Sequence, residues 1–82
     1  MPTILTFGGY RVVVYPNDHR PAHVHVIGPD GEAVFNLCCP GGPPELRESY
    51  RLSVQELNRI ARQIENELAE LCKVWKEHHD DY

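Results

Sequence analysis

Pro40-Gly41-Gly42-Pro43-Pro44 constrains this chain more than any other stretch. Three prolines remove amide donors and two glycines maximise backbone freedom, so no helix or central strand continues through it. An 82-residue chain has room for one core, and this break separates a strand-rich first part from a helical second part. The reading is one domain over 1–82, with a sheet half at 1–39, a Pro/Gly-rich linker at 40–52 and a helix at 53–79.

In the first part, Thr3 to Phe7 and Tyr10 to Tyr15 are rich in aromatic and β-branched residues and flank Gly8-Gly9. That pair permits the positive φ angles of a two-residue hairpin, or a bulge within one bent strand. His23 to Ile27 and Glu32 to Leu37 form a second pair around Gly28-Pro29-Asp30-Gly31, where proline presets φ and Asp-Gly closes the turn.

In the second part, Ser53-Val54-Gln55-Glu56 has the spacing of a capping box, and Leu52 with Leu57 supplies the matching staple. Leu57, Ile60, Ala61, Ile64, Leu68, Leu71, Cys72 and Trp75 then follow on one helical face. The predicted fold is α+β: a small antiparallel sheet of three to four strands packed against one long C-terminal helix. A helix of roughly 25 residues spans about 37 Å, more than the width of a four-stranded sheet at about 4.8 Å per strand. An overhanging apolar stripe calls for a protein partner or a homo-oligomer.

The net charge is −4, and seven acids against four bases from Ser53 onward leave −3 there and −1 before it. That balance disfavours a nucleic-acid binder working by phosphate neutralisation. Met1-Pro2-Thr3 leads straight into strand-like sequence, without the basic start and apolar run of a signal peptide, and no apolar run approaches the ~20 residues of a membrane span. The expected setting is cytoplasmic, away from membranes. Three cysteines, an odd number, fit reduced thiols there; Cys38 and Cys39 are too close to pair with each other, and Cys72 lies on the apolar helical stripe.

Three of the five histidines fall in Asp18-His19-Arg20-Pro21-Ala22-His23-Val24-His25. In a strand starting at His23, His23 and His25 share one face while Val24 and Val26 take the other. Asp18 and His19 lie across the corner at Pro21. His19, His23, His25 and Asp18 are thus candidate catalytic residues and candidate ligands for a divalent metal such as zinc, because imidazole is both a base near neutrality and a metal ligand. An alternating histidine pair supplies two ligands, so Asp18, His19 or Cys38 must complete the set. Arg11, Arg20 and Tyr15 are candidate binding residues, the arginines as an anion site beside the histidines. The plainer assignments are Asp18 as a turn former, Trp75 as a core anchor and His78-His79 as partners of the helix dipole.

Met1-Pro2-Thr3-Ile4, Gly9-Tyr10-Arg11, Tyr15, Asn17-Asp18-His19, Pro21, His23-Val24-His25-Val26, Glu32-Ala33, Phe35, Leu37, Ser53, Glu56-Leu57 and Trp75 together resemble the small bacterial domain-of-unknown-function family numbered 4160. The resemblance covers essentially the whole chain, and its Asp-His-x-Pro-x-His-x-His core is specific. The chain departs from the family pattern at Ala22, where a second proline is common, at Val34, where a lysine is common, and near Glu67, where a helix histidine is common. If that lysine and histidine serve catalysis, this chain lacks them. The resemblance implies no established activity; members are often encoded beside a second small protein, which implies one half of a toxin-antitoxin-like complex. The expectation is therefore an interaction module carrying a histidine cluster. The alternatives are a histidine-based, metal-independent ribonuclease-like toxin and a small metal-binding domain.

Overall fold

The computed structural model of the chain describes residues 3–15 and 17–79; Met1, Pro2, Pro16 and residues 80–82 lie outside that description. Five strands, β1 (Thr3–Phe7), β2 (Tyr10–Val13), β3 (His23–Ile27), β4 (Glu32–Asn36) and β5 (Glu45–Tyr50), precede two helices, α1 (Val54–Asn66) and α2 (Leu68–His79). The strands form one antiparallel sheet in the order β1-β2-β3-β4-β5, each beside its neighbour in sequence. Gly8 and Gly9 have φ of 51° and 86° and make the β1–β2 connection a tight hairpin rather than a bulge in one strand.

The fold class holds, and two details differ from expectation. First, the segment read as linker contains β5. All six β5 residues are exposed, and a bulge interrupts their pairing with β4, so no alternation of polar and apolar residues announces a strand. Charges at Glu45, Arg47 and Glu48, together with the bulge, are features that discourage further pairing at a free sheet edge. Second, the helix is two helices. Glu67, with φ −108° and ψ 15°, leaves the helical region, and its N–H reaches back to the carbonyls of Gln63 and Ile64. Neither proline nor glycine marks this break, and the apolar stripe runs through it unchanged.

Tyr10, Val12, Val14, Ala22, Val24, Val26, Ala33, Phe35 and Leu37 line the helix-facing side of the sheet, where they meet Ile60, Ile64, Leu68, Leu71, Cys72 and Trp75. Every residue of the helical stripe is buried or half-buried within the chain, so the stripe supplies no overhanging interface. Among the described residues, the large apolar side chains left exposed are Leu46, Tyr50 and Val54. No helix is long and apolar enough to cross a membrane among the described residues.

The cysteines also differ from the expectation of reduced thiols. Cys39, just past β4, is bonded to Cys72 of α2, with Cα atoms 5.8 Å apart, while Cys38 is free and exposed. A pairing between a loop and a helix 33 residues away leaves no trace in local spacing.

The start of α1 is tied to the sheet by charge. Ser53 Oγ accepts from the Glu56 amide at 3.1 Å, and the Tyr10 hydroxyl donates to Glu56 Oε2 at 2.8 Å. That hydroxyl, and then Ser53, hold the Glu56 carboxyl below the usual carboxylate range. A depressed carboxyl stabilises the fold above its unfolded value, about 4.3, and ceases to do so as pH falls through its lower folded value. Tyr10→Phe is expected to lower the melting midpoint at pH 7. Midpoints measured down to pH 3 should show the gap from the parent closing below about pH 4; a gap independent of pH would contradict the role given to this bond.

Candidate metal centre

On β2, Arg11 and Val13 point away from the helices, because Tyr10, Val12 and Val14 point toward them. Val13 pairs with His25 and Arg11 with Ile27, so His25 belongs to that second face, as does His23 two residues before it. The predicted division of β3 is therefore found, with Val24 and Val26 in the core and the histidines opposite.

The β2–β3 loop then folds back over this face. The Asp18 amide donates to the Tyr15 carbonyl at 3.0 Å, a turn that returns the Asp18 carboxylate to the histidines. Asp18 Oδ2 lies 3.3 Å from His23 Nε2 and 3.1 Å from His25 Nε2. The three side chains offer one ligand atom each, all within 4.8 Å of one another. His23 is 5% exposed and forms the inner wall, while the His25 and Asp18 side chains, at 27% and 20%, face outward.

His23 carries the most informative contact. Its Nδ1 lies 2.8 Å from the Pro21 carbonyl oxygen, which can only accept, so Nδ1 holds the proton and donates. In neutral His23 the lone pair is then on Nε2, aimed at a carboxylate oxygen that also offers only lone pairs. Two acceptors in contact at a buried position call for a positive charge between them, either a second proton or a metal ion. A backbone carbonyl that sets the tautomer is also the usual outer support of a metal-ligating histidine. Metal–ligand bonds of 2.0–2.2 Å at tetrahedral or octahedral angles hold ligand atoms roughly 2.9–3.5 Å apart, which spans the two carboxylate–imidazole distances found here.

Of the residues singled out from the sequence, Asp18, His23 and His25 converge. His19 does not: it is exposed and is not part of the cluster, because Asp18 itself turns back to the sheet. Tyr15 does contribute, its ring edge-on to His25 at 4.7 Å between centroids. Arg11 and Arg20 are exposed. Cys38 is not part of the cluster either; it lies beside Glu45, its thiol pushed above the ordinary value by partial desolvation and then by that carboxylate.

The surroundings of His23 add residues not selected from the sequence. Trp75 is wholly buried, as expected of an anchor, but its ring also meets His23 at 5.1 Å. His79 stacks on Trp75 at 3.7 Å and donates from Nδ1 to the Trp75 carbonyl, a more specific arrangement than attraction to a helix dipole. Asn36 pairs with His23 across β3 and β4. Among the described residues, Asn36 Oδ1, Trp75 Nε1 and His79 Nε2 are buried without a hydrogen-bond partner. The Asn36 position was readable, because a four-residue turn pairing Ile27 with Glu32 also pairs 23 with 36. The approach of Trp75 has no comparable signal.

A cleft of about 400 Å³ between the β3–β4 turn and the start of α1 is separate from this centre. It is lined in part by Tyr10, Asp30, Glu56 and Arg59, and the Tyr10–Glu56 bond already satisfies two of its polar groups.

No curated protein and no solved structure shows significant similarity to the chain. The family described as Domain of unknown function (DUF4160) matches residues 9–76, a span that contains the Asp18, His23 and His25 cluster and Trp75. The chain belongs to that family.

Proposed function

We propose that this protein is a metal-binding domain that holds a divalent first-row transition metal such as zinc through Asp18, His23 and His25. The observation that carries the reading is the 3.3 Å approach of His23 Nε2 to Asp18 Oδ2 with Nδ1 committed to the Pro21 carbonyl, which in neutral His23 leaves two lone pairs facing each other and a place for a cation between them. Two imidazoles and one carboxylate are a three-ligand set that leaves further positions for water or a substrate, as catalytic centres do. In such a centre the metal supplies Lewis-acid chemistry and an activated water. The protein holds the ligands in place, with Trp75 and Pro21 fixing the ring of His23.

The ribonuclease-like alternative draws less support. A metal-free acid and base need imidazole nitrogens directed at the reacting group from separate positions. Here both Nε2 atoms are directed at one carboxylate oxygen. The reading as half of a two-protein complex loses the helical stripe as its interface. Its remaining apolar support is the exposed trio Leu46, Tyr50 and Val54.

The test is titration of the metal-free protein with Co(II), followed both by the visible bands of the bound ion and by fluorescence of Trp75, the chain's single tryptophan. One equivalent is expected to bind and to quench Trp75 through its contact with His23. Asp18→Asn should weaken binding by at least the roughly 10–100-fold seen when even outer support is lost, and His19→Ala should leave it unchanged. Equal binding by Asp18→Asn and the parent would defeat the assignment.

A further inference from the structure

We infer that this centre receives an anionic oxygen ligand of the phosphate class, with Arg11 as its anchor; the inference rests on the metal-binding reading and names what occupies the open side of that site. Val13 lies directly across from His25 on the second face of the sheet. Arg11 and Tyr15 are placed two residues to either side of Val13 along the same chain, and Tyr15 touches His25 at 4.7 Å. Arg11 is the opposite diagonal neighbour of His25, a pairing about 7–8 Å apart that a long side chain spans.

The exposure of the site points the same way. His23 closes its inner side, while the outward-facing side chains are those of His25 and Asp18. Arg11 is exposed on that outward face. Among the described residues Arg11 has no ion-pair partner. Glu32, in its cross-strand row, is two strands away, about 9.6 Å at strand spacing.

Charge selects the ligand. A divalent ion with one carboxylate and two neutral imidazoles would retain one net positive charge, and Arg11, a diagonal neighbour of His25, adds a second on the same face of the sheet. With the ion bound, this end of the sheet would be cationic on a chain whose net charge is −4. A guanidinium offers parallel N–H donors that match two oxygens of a phosphate, while a third oxygen is free to reach the metal.

The experiment uses the full chain loaded with Co(II), to which inorganic phosphate or acetate is added while the visible bands are followed. Co(II) binding is recorded first, so failure there is failure of the metal reading itself. On the loaded protein, phosphate is expected to shift the bands saturably and at lower concentration than acetate. Arg11→Gln should leave Co(II) affinity within twofold while raising the phosphate dissociation constant about tenfold or more, and Arg11→Lys should fall between. Unchanged phosphate binding by Arg11→Gln, tighter binding of acetate than of phosphate, or unmoved bands on the loaded parent would each overturn the assignment.

Discussion

Saturating zinc is expected to raise the melting midpoint of the metal-free protein by about 10–20 °C. The size follows from linkage: a ligand at 100 times its dissociation constant, bound only by the native state, contributes about 2.7 kcal/mol. A domain of this length gains about 4–8 °C per kcal/mol. The three ligands lie on the β2–β3 loop and on β3, so an unfolded chain does not present them in the geometry of the native state. His25→Ala removes one ligand at a half-exposed position and should melt close to the metal-free parent, yet gain little or nothing from zinc. Scanning calorimetry with zinc and with EDTA measures both. A parent midpoint that zinc, Co(II) and Fe(II) all leave in place would rule out a native metal centre.

The second large effect is expected at Gly31, where the β3–β4 turn meets the end of β5. A Cβ placed there would lie 2.3 Å from the Tyr50 carbonyl oxygen and 2.6 Å from that of Arg51. Both are backbone atoms, so relief means moving the end of β5 away from β4. The turn also depends on Gly31, whose carbonyl accepts from the Gly28 amide at 2.8 Å. Gly31→Ala is expected to cost about 3 kcal/mol or more, at the upper end for overpacking. Gly9→Ala is the control, because its Cβ would meet nothing within 4 Å and the cost there comes from φ of +86° alone, about 1–2 kcal/mol. Urea unfolding of both variants tests the contrast, and an equal loss at the two positions would refute the close-approach argument.

Features carried by local chemistry were legible in the sequence. Gly8-Gly9, Gly28 to Gly31 and the Ser53–Glu56 cap each act over a few residues, and each appears where expected. The shared face of His23 and His25 follows from strand period alone. What escaped depends on distance or on backbone pairing. β5 joins the sheet through backbone groups that any side chains can accompany. The Cys39–Cys72 bond and the contact of Trp75 with His23 join segments far apart in sequence, and the break at Glu67 leaves the apolar spacing intact. His19 was grouped with Asp18 because they are adjacent, yet a turn that brings one residue inward commonly sends its neighbour out.

The arrangement of strands in simple sequence order affects how the protein is made. Each hairpin closes between neighbouring segments, and loops of about ten residues close within about 10–100 ns. Asp18, His23 and His25 emerge from the ribosome at least fifty residues ahead of Trp75, a lead of about 3–10 s at about 5–20 residues per second. During that interval β2, β3 and β4 can pair and bring Asp18, His23 and His25 together while α2 is still being synthesised. Trp75 of α2 then packs against His23 last, meeting side chains that the sheet has already brought together.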